Sequence, residues 1–119
     1  MNLIPIYDAT SPIACTISSQ EIPVRIEQVE RMRTNLDRVE RTPHGLLLHF
    51  PAGADLESDL RRFTVDEKRC CTFWGFAVET HDDHLTLRWD GPPGVEDLLD
   101  RLVEFFGGQK PLTATSGLV

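Results

Sequence analysis

Apolar positions along this 119-residue chain recur with two different periods, and the switches between them divide it into elements. Residues 1–12 contain two prolines and no clear period, which predicts an extended arm. Ile13-Ala14-Cys15-Thr16-Ile17 then alternates β-favouring residues and predicts a first strand carrying Cys15. Ser18-Ser19-Gln20-Glu21 has the spacing of a capping box, and Pro23 is tolerated in a first turn. Ile22, Ile26, Val29 and Leu36 follow at helical spacing and predict a helix over residues 20–35, with Glu27, Glu30 and Arg31 on its solvated side.

Asp37–Thr42 and Gly45–Phe50 read as two short strands around a Thr-Pro-His-Gly turn, with Leu46, Leu48 and Phe50 on one face. Pro51-Ala52-Gly53 interrupts the pattern, and Asp55 is placed to cap a second helix that runs to Cys71. Phe73–Thr80 and Leu85–Asp90 predict a second hairpin, and Gly91-Pro92-Pro93-Gly94 a firm break. Val95, Leu98, Leu99, Leu102, Val103 and Phe106 mark a third amphipathic helix, ended by Gly107-Gly108. The polar residues 109–119 are expected to form a poorly ordered tail. The predicted order is β-α-β-β-α-β-β-α. It implies one α+β domain over residues 13–108, a two-layer sandwich whose mostly antiparallel sheet carries its helices on one face.

The second helix holds the chemistry. At about 100° per residue, with Leu56 at zero, Leu60, Phe63 and Glu67 fall at about 40°, 340° and 20°. Cys70 and Cys71 fall at about 320° and 60°, flanking Glu67 one turn later, whereas Arg61, Arg62, Lys68 and Arg69 lie off the stripe. A carboxylate on an apolar face is costly unless it is paired, hydrogen-bonded or protonated. Arg25 or Arg33 of the first helix can supply the pairing, and Arg33 falls on that helix's own apolar stripe. Free cysteines are common core residues, so two small hydrophobes are the plain alternative for the thiols. The C-terminal end of a helix disfavours a thiolate, and coordination to a soft cation offsets that by deprotonating thiols outright. With Cys15 as a third sulfur, Cys15, Cys70 and Cys71 suit copper(I), mercury(II) or trivalent arsenic. Zinc is not favoured, because adjacent cysteines rarely give one zinc tetrahedral geometry and the chain lacks a Cys-x-x-Cys pair.

Composition narrows the remaining classes. Nineteen acidic against twelve basic residues give a net charge of −7, without a basic tract, which argues against a nucleic-acid partner. No run reaches the roughly 18 apolar residues of a membrane span, and Met1–Pro5 does not read as a signal peptide. Three cysteines, an odd count with two adjacent, fit free thiols in a cytoplasmic protein better than a disulfide framework. His81 and His84 sit in an Asp-rich turn, His44 in another, and His49 alternates away from the Leu46/Leu48/Phe50 face, so none is expected to be a ligand. Phe73, Trp74 and Phe76 read first as core, with Trp74 alternatively walling a pocket beside the thiols.

Glu67-Lys68-Arg69-Cys70-Cys71-Thr72-Phe73, followed by Phe76, resembles the Glu-x-x-Cys-Cys-Pro-Phe-x-x-Phe signature of a family of small, largely uncharacterised bacterial proteins. The likeness extends to Cys15-Thr16-Ile17, to Arg25 and to the Gly45–Phe50 strand, and covers residues 13–106. Thr72 stands where the family has Pro, and Trp74 where it has Leu. The resemblance implies a site at Glu67, Cys70 and Cys71, joined by Cys15, and an association with heavy-metal or metalloid resistance. Three functions follow as expectations. The first is binding of a soft ion by the cysteines. The second is a small enzyme in which Cys70 and Cys71 hold a metal-bound or electrophilic substrate while Glu67 acts as general acid or base. The third is a non-catalytic, homodimeric interaction domain.

Overall fold

The computed structural model describes residues 6–107. They form α1 (Glu21–Asn35), β1 (Arg38–Arg41), β2 (Gly45–Pro51), α2 (Ala54–Cys70), β3 (Gly75–Thr80), β4 (His84–Asp90) and α3 (Glu96–Phe106). The strands make one antiparallel sheet in the order β1-β2-β4-β3. This is the expected α+β architecture. Leu46, Leu48 and Phe50 of β2 lie directly opposite Trp89, Leu87 and Leu85 of β4, so these six share one face. That face joins Val29 and Met32 of α1, Leu60 and Phe63 of α2, and Leu99, Leu102, Phe105 and Phe106 of α3 in one hydrophobic cluster. The burial of every second residue, Leu46, Leu48 and Phe50 in β2 and Leu85, Leu87 and Trp89 in β4, matches this arrangement, because a shift of one residue would turn every core side chain outward.

Several boundaries depart from the sequence expectation. Residues 13–17 are not a strand. Their one backbone link across the fold is Thr16 N–H, which donates to the carbonyl of Cys70 at 2.9 Å. That carbonyl belongs to the last turn of α2, where no residue of the helix itself can satisfy it. The segment therefore seals a helix end instead of extending the sheet. Asp55 lies within the first turn of α2, after Gly53 at the cap, and makes no capping bond. β3 begins at Gly75, because Thr72–Trp74 form a turn closed by Trp74 N–H donating to the Cys71 carbonyl at 3.2 Å. The expected tail at 109–119 and the first part of the N-terminal arm lie outside the described residues.

What is described of the arm matters for the site, because it leads to Cys15. Ile6 N–H donates to Asp90 Oδ2 at 3.2 Å, and Asp8 N–H to the carbonyl of Phe73 at 3.1 Å. The arm passes so close to Gly75 that a Cβ there would collide with the backbone of Ile6 and Tyr7. Glycine is needed at that position for close approach. Among the described residues no helix is long and apolar enough to cross a membrane.

Leu48, fully buried between β1 and β4, tests the core. Leu48→Ala is expected to lower unfolding stability by about 2–5 kcal/mol in urea titrations. An intact circular-dichroism spectrum would separate that loss from a change of fold.

Candidate functional site: a buried arginine, a carboxylate and three cysteines

The amphipathic stripe of α2 places Glu67 and Cys70 inward, as its spacing requires. Glu67 is 2% exposed and Cys70 5%. Across from them, α1 presents Arg25, which is 3% exposed. Its Nη1 forms an ion pair with Glu67 Oε1, and its Nη2 donates to Cys70 Sγ at 3.6 Å. Arg25 Nε donates to Gln28 Oε1 at 3.2 Å, and Gln28 in turn donates to Asp66 Oδ2 at 3.0 Å. The second oxygen of Glu67 accepts from Trp74 Nε1 at 3.1 Å. Both carboxylate oxygens are thus engaged, and the buried charge meets its requirement for partners.

The electrostatics follow from this wiring. Burial is the main influence on Glu67 and pushes its carboxyl above the usual range, partly offset by Arg25 and by the Trp74 N–H. Burial also opposes the charge on Arg25, but Cys70 and Glu67 outweigh it, and the guanidinium is held above its ordinary value. A cation therefore stands against the Cys70 sulfur despite its position at a helix C-terminus, where the backbone alone disfavours a thiolate.

Glu21 completes the surroundings of Cys70. The Ser18 hydroxyl donates to Glu21 Oε1 at 3.0 Å and accepts from its N–H at 3.3 Å, which is half of the expected capping box; the residue at the cap is Gln20, which makes no side-chain capping bond. The other carboxylate oxygen, Oε2, accepts from Cys70 Sγ at 3.6 Å and pairs with Arg69 at 3.4 Å. The bond from Ser18 is the largest influence holding the Glu21 carboxyl below its ordinary range. A cleft of about 250 Å³ between α1 and α2 opens beside these groups, lined by Glu21, Val24, Arg25, Gln28, Asp66 and Arg69 among others. The turn after the thiols is braced by Lys68, whose ammonium donates to the carbonyls of Thr72 and, at 2.6 Å, of Trp74.

The cysteines require a correction. Three free thiols were expected; instead Cys15 and Cys71 form a disulfide, 56 residues apart in sequence, with Cα atoms 4.4 Å apart. Cys70 is the free cysteine. The three sulfur-bearing residues do gather at one end of α2, so the association of Cys15 with the pair holds, but its form is covalent. In this oxidised state Cys15 and Cys71 are not available as metal ligands, and no group of three or more His, Cys, Asp or Glu among the described residues is arranged to hold a metal ion.

Of the two arginines considered for Glu67, the structure selects Arg25. Arg33 lies over the Phe105 ring at 4.9 Å and near Glu30 at 3.9 Å. Trp74 is core, packed against Phe73 and Trp89 with ring centroids 4.5 and 5.4 Å away, and it also binds Glu67. His49 pairs with Glu40 at 2.8 Å, and His84 with Asp83 at 2.8 Å. His81 contacts Thr86 Oγ1 at 3.1 Å, and these histidines lie apart from the cysteines on the opposite side of β2 and at the β3–β4 turn. The contacts of Glu21 and Gln28 were not anticipated. The capping-box motif signals that Glu21 is fixed, but nothing local signals its sulfur neighbour. Comparisons with protein families, with curated proteins and with solved structures find no match to this chain.

Two measurements check the site. Native oxidised protein is expected to show no rapid reaction with a bulky thiol reagent and to release one thiol per chain on unfolding, since its free cysteine is buried. Arg25→Met is expected to cost about 3–5 kcal/mol of stability, because it strands the Glu67 carboxylate in the interior. Combining it with Glu67→Leu should recover part of that loss in the same denaturation assay.

Proposed function

We propose that the protein, once its Cys15–Cys71 bond is reduced, captures a thiophilic metal or metalloid ion through Cys15, Cys70 and Cys71. The observation that carries this reading is the gathering of all three cysteines at the C-terminal end of α2, with the Arg25 guanidinium on the one that remains free. Three sulfurs at one place favour copper(I), mercury(II) or trivalent arsenic over hard cations. The guanidinium supplies the positive charge that the helix end lacks; Cys70 and Cys71 are buried, while Cys15 stands at the surface, where an ion would enter. The likeness of Glu67–Phe73 to a signature associated with heavy-metal and metalloid resistance points the same way.

Glu67 has a supporting part in this reading. With one oxygen on Arg25 and the other on Trp74, it positions the guanidinium against Cys70. Protonating a substrate would require it to release one of those partners.

The test is titration of anaerobically reduced protein with mercury(II), copper(I) or arsenite, followed by metal analysis after gel filtration. About one tightly held ion per chain is expected for soft cations, and none for magnesium. Binding should disappear in the Cys70→Ser/Cys71→Ser double variant and fall sharply in the oxidised protein. Undiminished binding in the double variant would remove the cysteines from the site.

A further inference from the structure

The two sulfurs of the disulfide face different surroundings. Cys15 is exposed, whereas Cys71 is 2% exposed and lies in the hydrophobic core. Thiol–disulfide exchange proceeds by attack of a thiolate on one sulfur while the other leaves, and access decides which sulfur is attacked. An incoming thiol can reach Cys15 from solvent, with Cys71 as the inward leaving group. The reverse choice would require the attacker to penetrate the core. Cys70, at 5% exposure and flanked by Arg25 and Glu21, is equally closed to a bulky partner.

The backbone around Cys15 suits such an adduct. Residues 13–17 belong to neither sheet nor helix, so an added group on Cys15 displaces no ladder partner. The segment is nevertheless shaped by a local turn before the cysteine and fastened to the end of α2 after it. Ala14 N–H donates to the Pro12 carbonyl at 2.9 Å, and both the N–H and the hydroxyl of Thr16 donate to the carbonyl of Cys70. Cys15 is therefore presented at the surface on a fixed segment. Ile13 beside it is 53% exposed.

We propose that Cys15 is a site of S-thiolation, taking a low-molecular-weight thiol as a mixed disulfide in exchange for its bond to Cys71. The electron pair of the incoming thiolate forms the new S–S bond to Cys15, and the Cys15–Cys71 bond breaks. Its pair goes to Cys71, which takes a proton from solvent and becomes a thiol beside Cys70. No separate oxidant or reductant enters this step. The small thiol is the co-reactant, and it leaves again when Cys71 attacks in the reverse step, or when Cys70 or a second equivalent of the small thiol displaces it. This site rests on the exposure of the two sulfurs and stands independently of ion capture.

Oxidised full-length protein is incubated with reduced glutathione, quenched with acid, blocked with N-ethylmaleimide and mapped by tandem mass spectrometry. The expected result is the mass shift of one glutathionyl group on Cys15, with maleimide on Cys71. A glutathionyl group found on Cys70 or Cys71 in place of Cys15 overturns the proposal. Cys70→Ser, which lacks one of the two internal thiols able to clear the adduct, is treated in parallel. Absence of the adduct from Cys15 in both proteins overturns it as well.

Discussion

The contact between Arg25 and Glu67 sets the terms for everything around the cysteines. Two buried charges on different helices are tolerated only because each neutralises the other and each finds further partners. Glu67 takes the Trp74 N–H, and Arg25 reaches both Gln28 and the Cys70 sulfur. The pair fixes how α1 lies on α2, and it brings a permanent cation to a helix end that would otherwise repel a thiolate. Such a pair is weak evidence of stability in itself, because the cost of burying both charges offsets much of their attraction.

The structure around this pair is built in two parts with different physics. The sheet and the inward faces of the helices form an ordinary apolar core, whose order follows from alternation in β2 and β4. The end of α2 is a polar pocket inside that core, closed over by residues 6–20, which contribute no strand or helix of their own. That segment is fastened by individual bonds, from Ile6 to Asp90, from Asp8 to Phe73, from Thr16 to Cys70 and from Cys15 to Cys71. The last of these is the covalent one, so reduction would remove one of the bonds that fasten the cover over the thiols.

Oxidation state thereby partitions the cysteine chemistry. With the disulfide closed, the chain presents one buried thiol and an exposed sulfur that can only exchange. With it open, three thiols would share one helix end, the condition on which the proposed capture of a soft ion depends. Acid chemistry at Glu67 fits less well than the spacing alone suggested, because both of its oxygens are held, one by Arg25 and the other by Trp74.

Most elements could be read from the sequence, because helical and strand periodicity is written in neighbours a few residues apart. The stripe Leu56, Leu60, Phe63, Glu67 determined that Glu67 and Cys70 face inward, and the alternation of Leu46, Leu48 and Phe50 determined the core face of β2. The Ser18–Glu21 spacing determined the start of α1. The choice of Arg25 over Arg33 was not local, since it depends on the angle at which α1 crosses α2 across 42 residues of chain. The alternating pattern at 13–17 looked like a strand because composition reports what a segment tolerates, not whether a sheet edge lies within reach. That segment instead met the open carbonyl at the end of α2, and in doing so it carried Cys15 to Cys71. Sequence thus placed the thiols and the acid on one inward face. Tertiary packing decided which cation answers the acid and which sulfurs are joined, because both depend on distances that no local period encodes.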